Sequence, residues 1–179
     1  RFRGGGRRSG RPRRGQGGAS LRGRAGRKGK GMVAVISGVD EARRGLASVE
    51  ECKNGLRREK HDFDDKLEVG VMSEVPTAAI LADRLARGVD FFSIGTNDLC
   101  QYTLAVDRMN EKVSYLYDPF NPGVLRLISF VIEQGAKPNI HFGMCGEMAA
   151  DPLATLLLMG MGRKAFSVTA ASTPQKQKT

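Results

Sequence analysis

The sequence predicts an α/β fold in which parallel strands are joined by helical crossovers. Short apolar runs alternate with helix-period segments from Met32 onward, in the order βαβαβα. Carboxylates, an amide and a thiol follow these strands, where functional side chains gather in parallel α/β folds. About five strands can be counted, whereas a closed (β/α)8 barrel needs ~250 residues and the chain has 179. The pattern therefore fits an incomplete barrel or a smaller open sheet.

Residues 1–31 contain eleven Gly and twelve Arg or Lys, with no acidic residue and few aliphatic ones. Such a segment buries too little apolar surface to offset its ordering entropy, so disorder is expected. Composition changes abruptly at Met32. Met32–Ile36 (MVAVI) reads as a strand, and Asp40–Lys60 as a helix with Val49, Cys52 and Leu56 at helical spacing. Leu67–Met72 is the next strand. Pro76 stands at a first helical position, Thr77–Arg87 follows as one helix, and Gly88 is its stop. Val89–Ile94 is a strand and Gly95–Asp98 a loop. Asn121-Pro122 opens a helix through Val124, Ile128, Val131 and Ile132. Ile140–Met144 is a strand, Asp151-Pro152 an N-cap with first-turn proline for Leu153–Met159, and Ala165–Val168 a last strand. Pro174 begins a further helix.

The net charge of +10 belongs to the tail, since 12 of the 29 basic residues lie there and 17 remain against all 19 acidic ones. The basic balance thus says nothing about the folded part. Phe2 is the tail's sole aromatic, so base stacking is weak and a nucleic-acid role is a minor reading. No apolar run reaches the ~18 residues of a membrane span, and no apolar segment after the basic start marks a secretory signal. Cys52, Cys100 and Cys145 lack metal or disulfide spacing, which points to free thiols in the cytoplasm. The chain begins with Arg1 rather than Met, so a fragment or an unusual gene model is expected.

The strand ends supply the candidates. Ser73-Glu74-Val75-Pro76 follows one strand, Gly95-Thr96-Asn97-Asp98 the next, and Cys145-Gly146-Glu147 a third. Oxygen ligands from separate strands suit Mg2+. Each residue also has a plainer reading. Glu74 can cap a helix, Asp98 can be a turn residue, Cys145 a buried structural thiol, Glu147 a loop brace and Arg108 a surface ion pair. His61 and His141 fit a polar linker and a strand interior.

Three segments carry a resemblance: LEVGVMSEVPTAA, VDFFSIGTNDLCQYTLAVDRMNEKVSYLYDPFNPGVLRLI and FGMCGEMAADPLATLLLMGMG. They resemble the phosphoenolpyruvate-utilising enzyme superfamily from Leu67 to about Ser172, and more weakly back to Met32. GTNDL is shared with pyruvate phosphate dikinases and phosphoenolpyruvate synthases. QYTLAVDRMNE favours the Enzyme I branch, the phosphoenolpyruvate–protein phosphotransferases of bacterial sugar uptake. The resemblance implies a partial C-terminal (β/α)8 domain of the phosphoenolpyruvate/pyruvate-binding type over 32–179. It matches Glu74 and Asp98 to Mg2+ ligands, Asn97 and Arg108 to contacts with the substrate phosphate, and Cys145 to the thiol that protonates the enolate. Partners follow from it: phosphoenolpyruvate or pyruvate, a phosphocarrier protein reached through an N-terminal domain, and a second copy in a homodimer.

The family's earlier barrel strands supply further arginines and a lysine, and a separate domain carries the phosphoaccepting histidine. Neither has a counterpart in this sequence, and the Arg/Gly tail stands where those strands belong. A truncated or frame-disrupted product, weak or inactive alone, is therefore expected. A dikinase- or synthase-like fragment is the alternative within the superfamily.

Overall fold

The structure, a computed structural model, describes residues 30–136, 140–161 and 167–168. The expected disorder of the tail and the helix after Pro174 fall outside the described residues, except that Lys30 and Gly31 are strand. The chain divides into two compact units, whose described parts are Gly45–Leu67 in the first and Lys30–Arg44 with Glu68 onward in the second.

In chain order the elements are β1 (Lys30–Val33), α1 (Val39–Arg58), β2 (Glu68–Ser73), α2 (Pro76–Ile80), α3 (Ala82–Leu85), β3 (Phe91–Gly95), α4 (Thr96–Leu104), α5 (Pro122–Ala136), β4 (His141–Cys145), α6 (Pro152–Gly160) and β5 (Ser167–Val168). The boundary between the units falls within α1.

In the second unit the five strands form one parallel sheet in the order β1-β2-β3-β4-β5. Each strand lies beside its neighbour in sequence. A doubly wound sheet reverses direction at a switch point; this one keeps walking one way, as a (β/α)8 barrel does. The incomplete barrel is thus the correct alternative, and the open sheet is not.

Register sorts the side chains into two faces. Val71, Phe92 and Phe142 align in one row, Ser73, Ile94 and Met144 in the next. These rows form the core with Val124, Ile128 and Val131 of α5. The rings of Phe92 and Phe142 stack with centroids 5.6 Å apart. Complete burial of such side chains contributes ~1.5–3 kcal/mol each. The opposite face carries Met72, Ser93 and Gly143 in one row, then Gly95 beside Cys145.

The helix starts follow the sequence reading. Asp151 Oδ1 accepts the Leu153 N–H at 2.8 Å, and Asn121 Oδ1 accepts the Gly123 N–H at 2.9 Å. Each side chain satisfies a first-turn donor that the helix leaves open.

Three expectations need correction. The first strand is Lys30–Val33 rather than Met32–Ile36. Lys30 pairs with Glu68 in register and through a 2.8 Å ion pair, so the fold begins inside the segment assigned to the tail. Beyond Val33 the chain leaves the sheet, and Ile36 drops into the core. Thr77–Arg87 is not one helix: it breaks at Leu81 (φ −93°, ψ 14°) into α2 and α3, which leaves Ile80 outside while Ala82, Leu85 and Ala86 are buried. Finally, Gly95–Asp98 is not a loop. Gly95 ends β3 and Thr96 starts α4 at once. Asp98 there meets the positive end of the helix dipole, while Thr96 and Asn97 direct their side-chain oxygens to the turn after β4.

In the first unit, Lys53 is buried and donates to the carbonyls of Asp65 (3.1 Å) and Leu67 (3.5 Å). Arg57 pairs with Glu50 and Asp65 and lies over the Phe63 ring. Lys53 and Arg57 thereby hold the chain after the helix against the last turns of α1.

Candidate active site

All five predicted site residues belong to the second unit. Glu74 stands directly after β2, Asn97 and Asp98 in the first turn of α4, Cys145 at the end of β4, and Arg108 in the segment after α4.

Glu74 is only 5% exposed. Its Oε1 accepts the backbone N–H of Val35 at 2.6 Å. Val35 has φ +52°, a conformation that costs a β-branched residue energy. Burial pushes the Glu74 carboxyl above the ordinary carboxylate range; the Val35 N–H pulls it down, and the negative charge of Asp98 raises it again. A like charge near a buried carboxyl disfavours its ionised form, a cost that a cation beside it would relieve. Gly95 makes room for the Glu74 side chain, because a Cβ there would stand 2.9 Å from the Glu74 Cβ and 3.1 Å from its Oε2.

These two oxygen donors fit Mg2+, which binds through one or two carboxylates and completes its shell with water and substrate. Among the described residues, no group of three or more His, Cys, Asp or Glu side chains is gathered around one point. A site for a softer metal with several protein ligands is not what these residues offer.

Cys145 lies in the field of the same pair. Its Sγ accepts from the Ser93 hydroxyl at 3.8 Å and donates to the Ile94 carbonyl at 3.6 Å. Burial pushes the thiol up, the Ser93 hydroxyl pulls it down, and Glu74 and Asp98 push it up again. A free thiol titrates near 8.5, so this one keeps its proton at neutral pH.

The turn after Cys145 is stitched to the start of α4. Thr96 Oγ1 donates to the Cys145 carbonyl at 3.0 Å, and the Glu147 N–H donates to Asn97 Oδ1 at 3.0 Å. With Oδ1 committed, Nδ2 is the donor end of the Asn97 amide. Between these bonds Gly146 adopts φ +108°, and a Cβ on it would lie 2.3 Å from Thr96 Oγ1. Arg108 reaches the cluster through Glu147, Nη1 to Oε1 at 3.4 Å. Tyr117 donates to the Asn97 carbonyl at 3.4 Å and is pushed up to about 12, first by burial and then by Cys100. It is a neutral hydroxyl under physiological conditions.

The sequence reading missed Val35, Ser93 and Tyr117. Ser93 was findable, since it lies two residues before Gly95 on the same strand face. Val35 acts through its backbone, and Tyr117 lies 20 residues from Asn97, so neither leaves a local signal. His61 is exposed beside Glu59, and His141 opens β4 with its side chain exposed; neither joins the site.

A parallel sheet walking one way, with carboxylates, amide and thiol on its C-terminal rim, defines a domain of the (β/α)8 class. Residues 14–179 match the family described as PEP-utilising enzyme, PEP-binding domain, and the chain belongs to that family. It is 52% identical over 141 residues to phosphoenolpyruvate-protein phosphotransferase of Staphylococcus aureus, which covers 79% of this chain and 25% of that protein. The protein of the same name from Geobacillus stearothermophilus is 51% identical, with 79% and 24% covered. The chain thus spans about a quarter of the length of these curated relatives. Among solved structures, a citrate lyase from Burkholderia xenovorans LB400 superimposes with a TM-score of 0.64 over 87% of this chain and 49% of that one, at 17% identity. That likeness is one of fold.

Proposed function

We propose that this chain is the phosphoenolpyruvate-binding part of a phosphotransferase that moves the phosphoryl group of phosphoenolpyruvate to a protein histidine and so starts sugar uptake. The observation that carries the reading is the buried Glu74 carboxyl, held by the Val35 N–H at 2.6 Å, on one rim with Asp98 and the Cys145 thiol. Glu74 and Asp98 would hold Mg2+, which when bound supplies Lewis-acid stabilisation of negative oxygen. Arg108 offers charge, and the Asn97 Nδ2 a donor, to the phosphoryl oxygens. The phosphorus–oxygen bond breaks as the phosphoryl group passes to a histidine outside this chain, and the electron pair stays on the enolate. Cys145 then gives its proton to the enolate carbon, forming pyruvate, and solvent reprotonates the thiolate.

The partners of this reading are phosphoenolpyruvate and pyruvate, a phosphocarrier protein and a second copy of the chain, in the cytoplasm. Among the described residues no helix is long and apolar enough to cross a membrane. Alone, the chain is expected to bind phosphoenolpyruvate weakly and only with Mg2+, and to transfer nothing to the carrier. Calorimetric titration tests the first point, and deuterium exchange at the pyruvate methyl group tests the acid. Cys145→Ala should cut exchange by about 10²–10⁴-fold, the usual contribution of a positioned acid, and leave binding intact. Binding indifferent to chelation of Mg2+, or exchange indifferent to loss of the thiol, would refute the reading.

A further inference from the structure

We propose that Glu147 is a stand-in anion for the substrate phosphate: its carboxylate holds the Arg108 guanidinium between substrates and is displaced when a phosphate group arrives. The inference rests on the reading that Arg108 meets the phosphate. Its observations concern Glu147, which that reading leaves without a role.

Glu147 has a fixed backbone and a loose side chain. Its N–H is held by Asn97 Oδ1 at 3.0 Å, and the preceding Gly146 is wedged against Thr96 and Asn97. Its carboxylate is 79% exposed and touches Arg108 through one oxygen at 3.4 Å. Arg108 shows the same division. Its N–H is anchored on Gln101 Oε1 at 3.2 Å, while its side chain, 33% exposed, makes that single hydrogen bond among the described residues. Both charges also act on the Tyr117 hydroxyl, which donates to the Asn97 carbonyl. Asn97 is therefore tied to the backbone of the anion and to the phenol beside the cation.

This arrangement favours exchange. An exposed one-point carboxylate pair contributes little, whereas a phosphate can take two parallel N–H groups of a guanidinium in a charge-assisted fork. The carboxylate keeps the cation turned toward the rim and yields to the stronger anion. A competing anion also lowers phosphate affinity, and so eases release once the phosphoryl group has gone.

The test uses the whole chain, with inorganic phosphate and phosphoenolpyruvate as probes. Phenylglyoxal modifies arginines, and peptide-resolved mass spectrometry reads the rate at Arg108. In Glu147→Gln the phosphate concentration that half-protects Arg108 should fall about two- to fivefold, the weight of an exposed pair. Glu111→Gln removes an equal charge from a nearby exposed position and should leave protection unchanged. Protection that is equal or weaker in Glu147→Gln overturns the proposal, as does an equal gain in Glu111→Gln, which would mark general charge removal. A parallel titration with phosphoenolpyruvate and Mg2+ judges the proposed function separately. A chain that fails to bind phosphoenolpyruvate still reports on Arg108 and Glu147 through inorganic phosphate.

Discussion

At the floor of the site Glu74 is 5% exposed and gripped by a 2.6 Å N–H bond from a strained residue. At the rim Arg108 and Glu147 meet once, at 3.4 Å, with the carboxylate 79% exposed. The floor is made of strand ends, and the sheet register fixes where Glu74, Gly95 and Cys145 stand. The rim is made of a connecting segment and a turn, joined by contacts that solvent can replace. The groups that the proposed function assigns to a cation are preorganised, and those that the further proposal assigns to anion exchange are left adjustable. The division follows from the physics of each task, because a misplaced buried carboxylate is costly whereas an exposed ion pair breaks cheaply.

The joint between the two regions is Gly146, and it offers the largest way to break the comparison. Gly146→Ala puts a Cβ 2.3 Å from Thr96 Oγ1 and 2.9 Å from Asn97 Oδ1, in a backbone conformation of φ +108° and ψ 178° that is essentially confined to glycine. Strain and overpacking together should cost about 3 kcal/mol. Floor and rim should separate in this variant, with the Asn97–Glu147 bond lost first. Chemical denaturation measures the cost, and amide hydrogen exchange at Glu147 locates it. A cost near zero would mean that the turn is not the joint.

Val35 sharpens the comparison at smaller scale. A side chain at φ +52° costs roughly 1–2 kcal/mol, and glycine avoids that cost while adding roughly 0.5–1 kcal/mol of lost unfolded-state freedom. Val35→Gly keeps the N–H that grips Glu74, and the side chain it removes is 69% exposed. It should therefore stabilise the chain by about 0.5–1 kcal/mol, a rise of about 1–4 °C in melting temperature. A melting temperature that falls would show that the valine side chain, and not the turn itself, is what the site uses.

Much of this was legible in the sequence, and the gaps have physical causes. Strand alternation, the Asn121-Pro122 and Asp151-Pro152 helix starts and the stripe Val124, Ile128, Val131 are local patterns and can be read directly. The placement of Glu74, Asp98 and Cys145 at the strand ends was legible because strand and helix alternate in the sequence around them. The start of α4 was misread because Gly-Thr-Asn-Asp is also good turn chemistry; the buried stripe Thr96, Leu99, Cys100 at helical spacing was the better guide. The MVAVI run misled for another reason. Apolarity marks burial, and Ile36 is buried outside the sheet, whereas Lys30 pairs within it through backbone bonds that composition does not register. The positive φ of Val35 is imposed by Glu74, 39 residues away, and no local pattern encodes it.

The smallest effect probes the floor alone. Burial first, and Asp98 with it, raise the folded-state value of Glu74 above the unfolded one. A carboxyl shifted this way contributes stability that is fully present below the unfolded value and is lost as pH rises through the raised one. At neutral pH the ionised Glu74 carboxylate is therefore a liability unless a cation neutralises it. Glu74→Gln retains an oxygen for the Val35 N–H and carries no charge. Without divalent metal it should equal the parent chain below the carboxylate range and exceed it in melting temperature at pH 7–8. Mg2+ should reverse the order at pH 7–8, since it binds and stabilises the parent and finds one carboxylate fewer in the variant. Thermal melts at two pH values, with and without Mg2+, give all four corners. A variant less stable than the parent at neutral pH without metal would mean that the Glu74 charge is already compensated within the fold, and that the floor has no need of a cation.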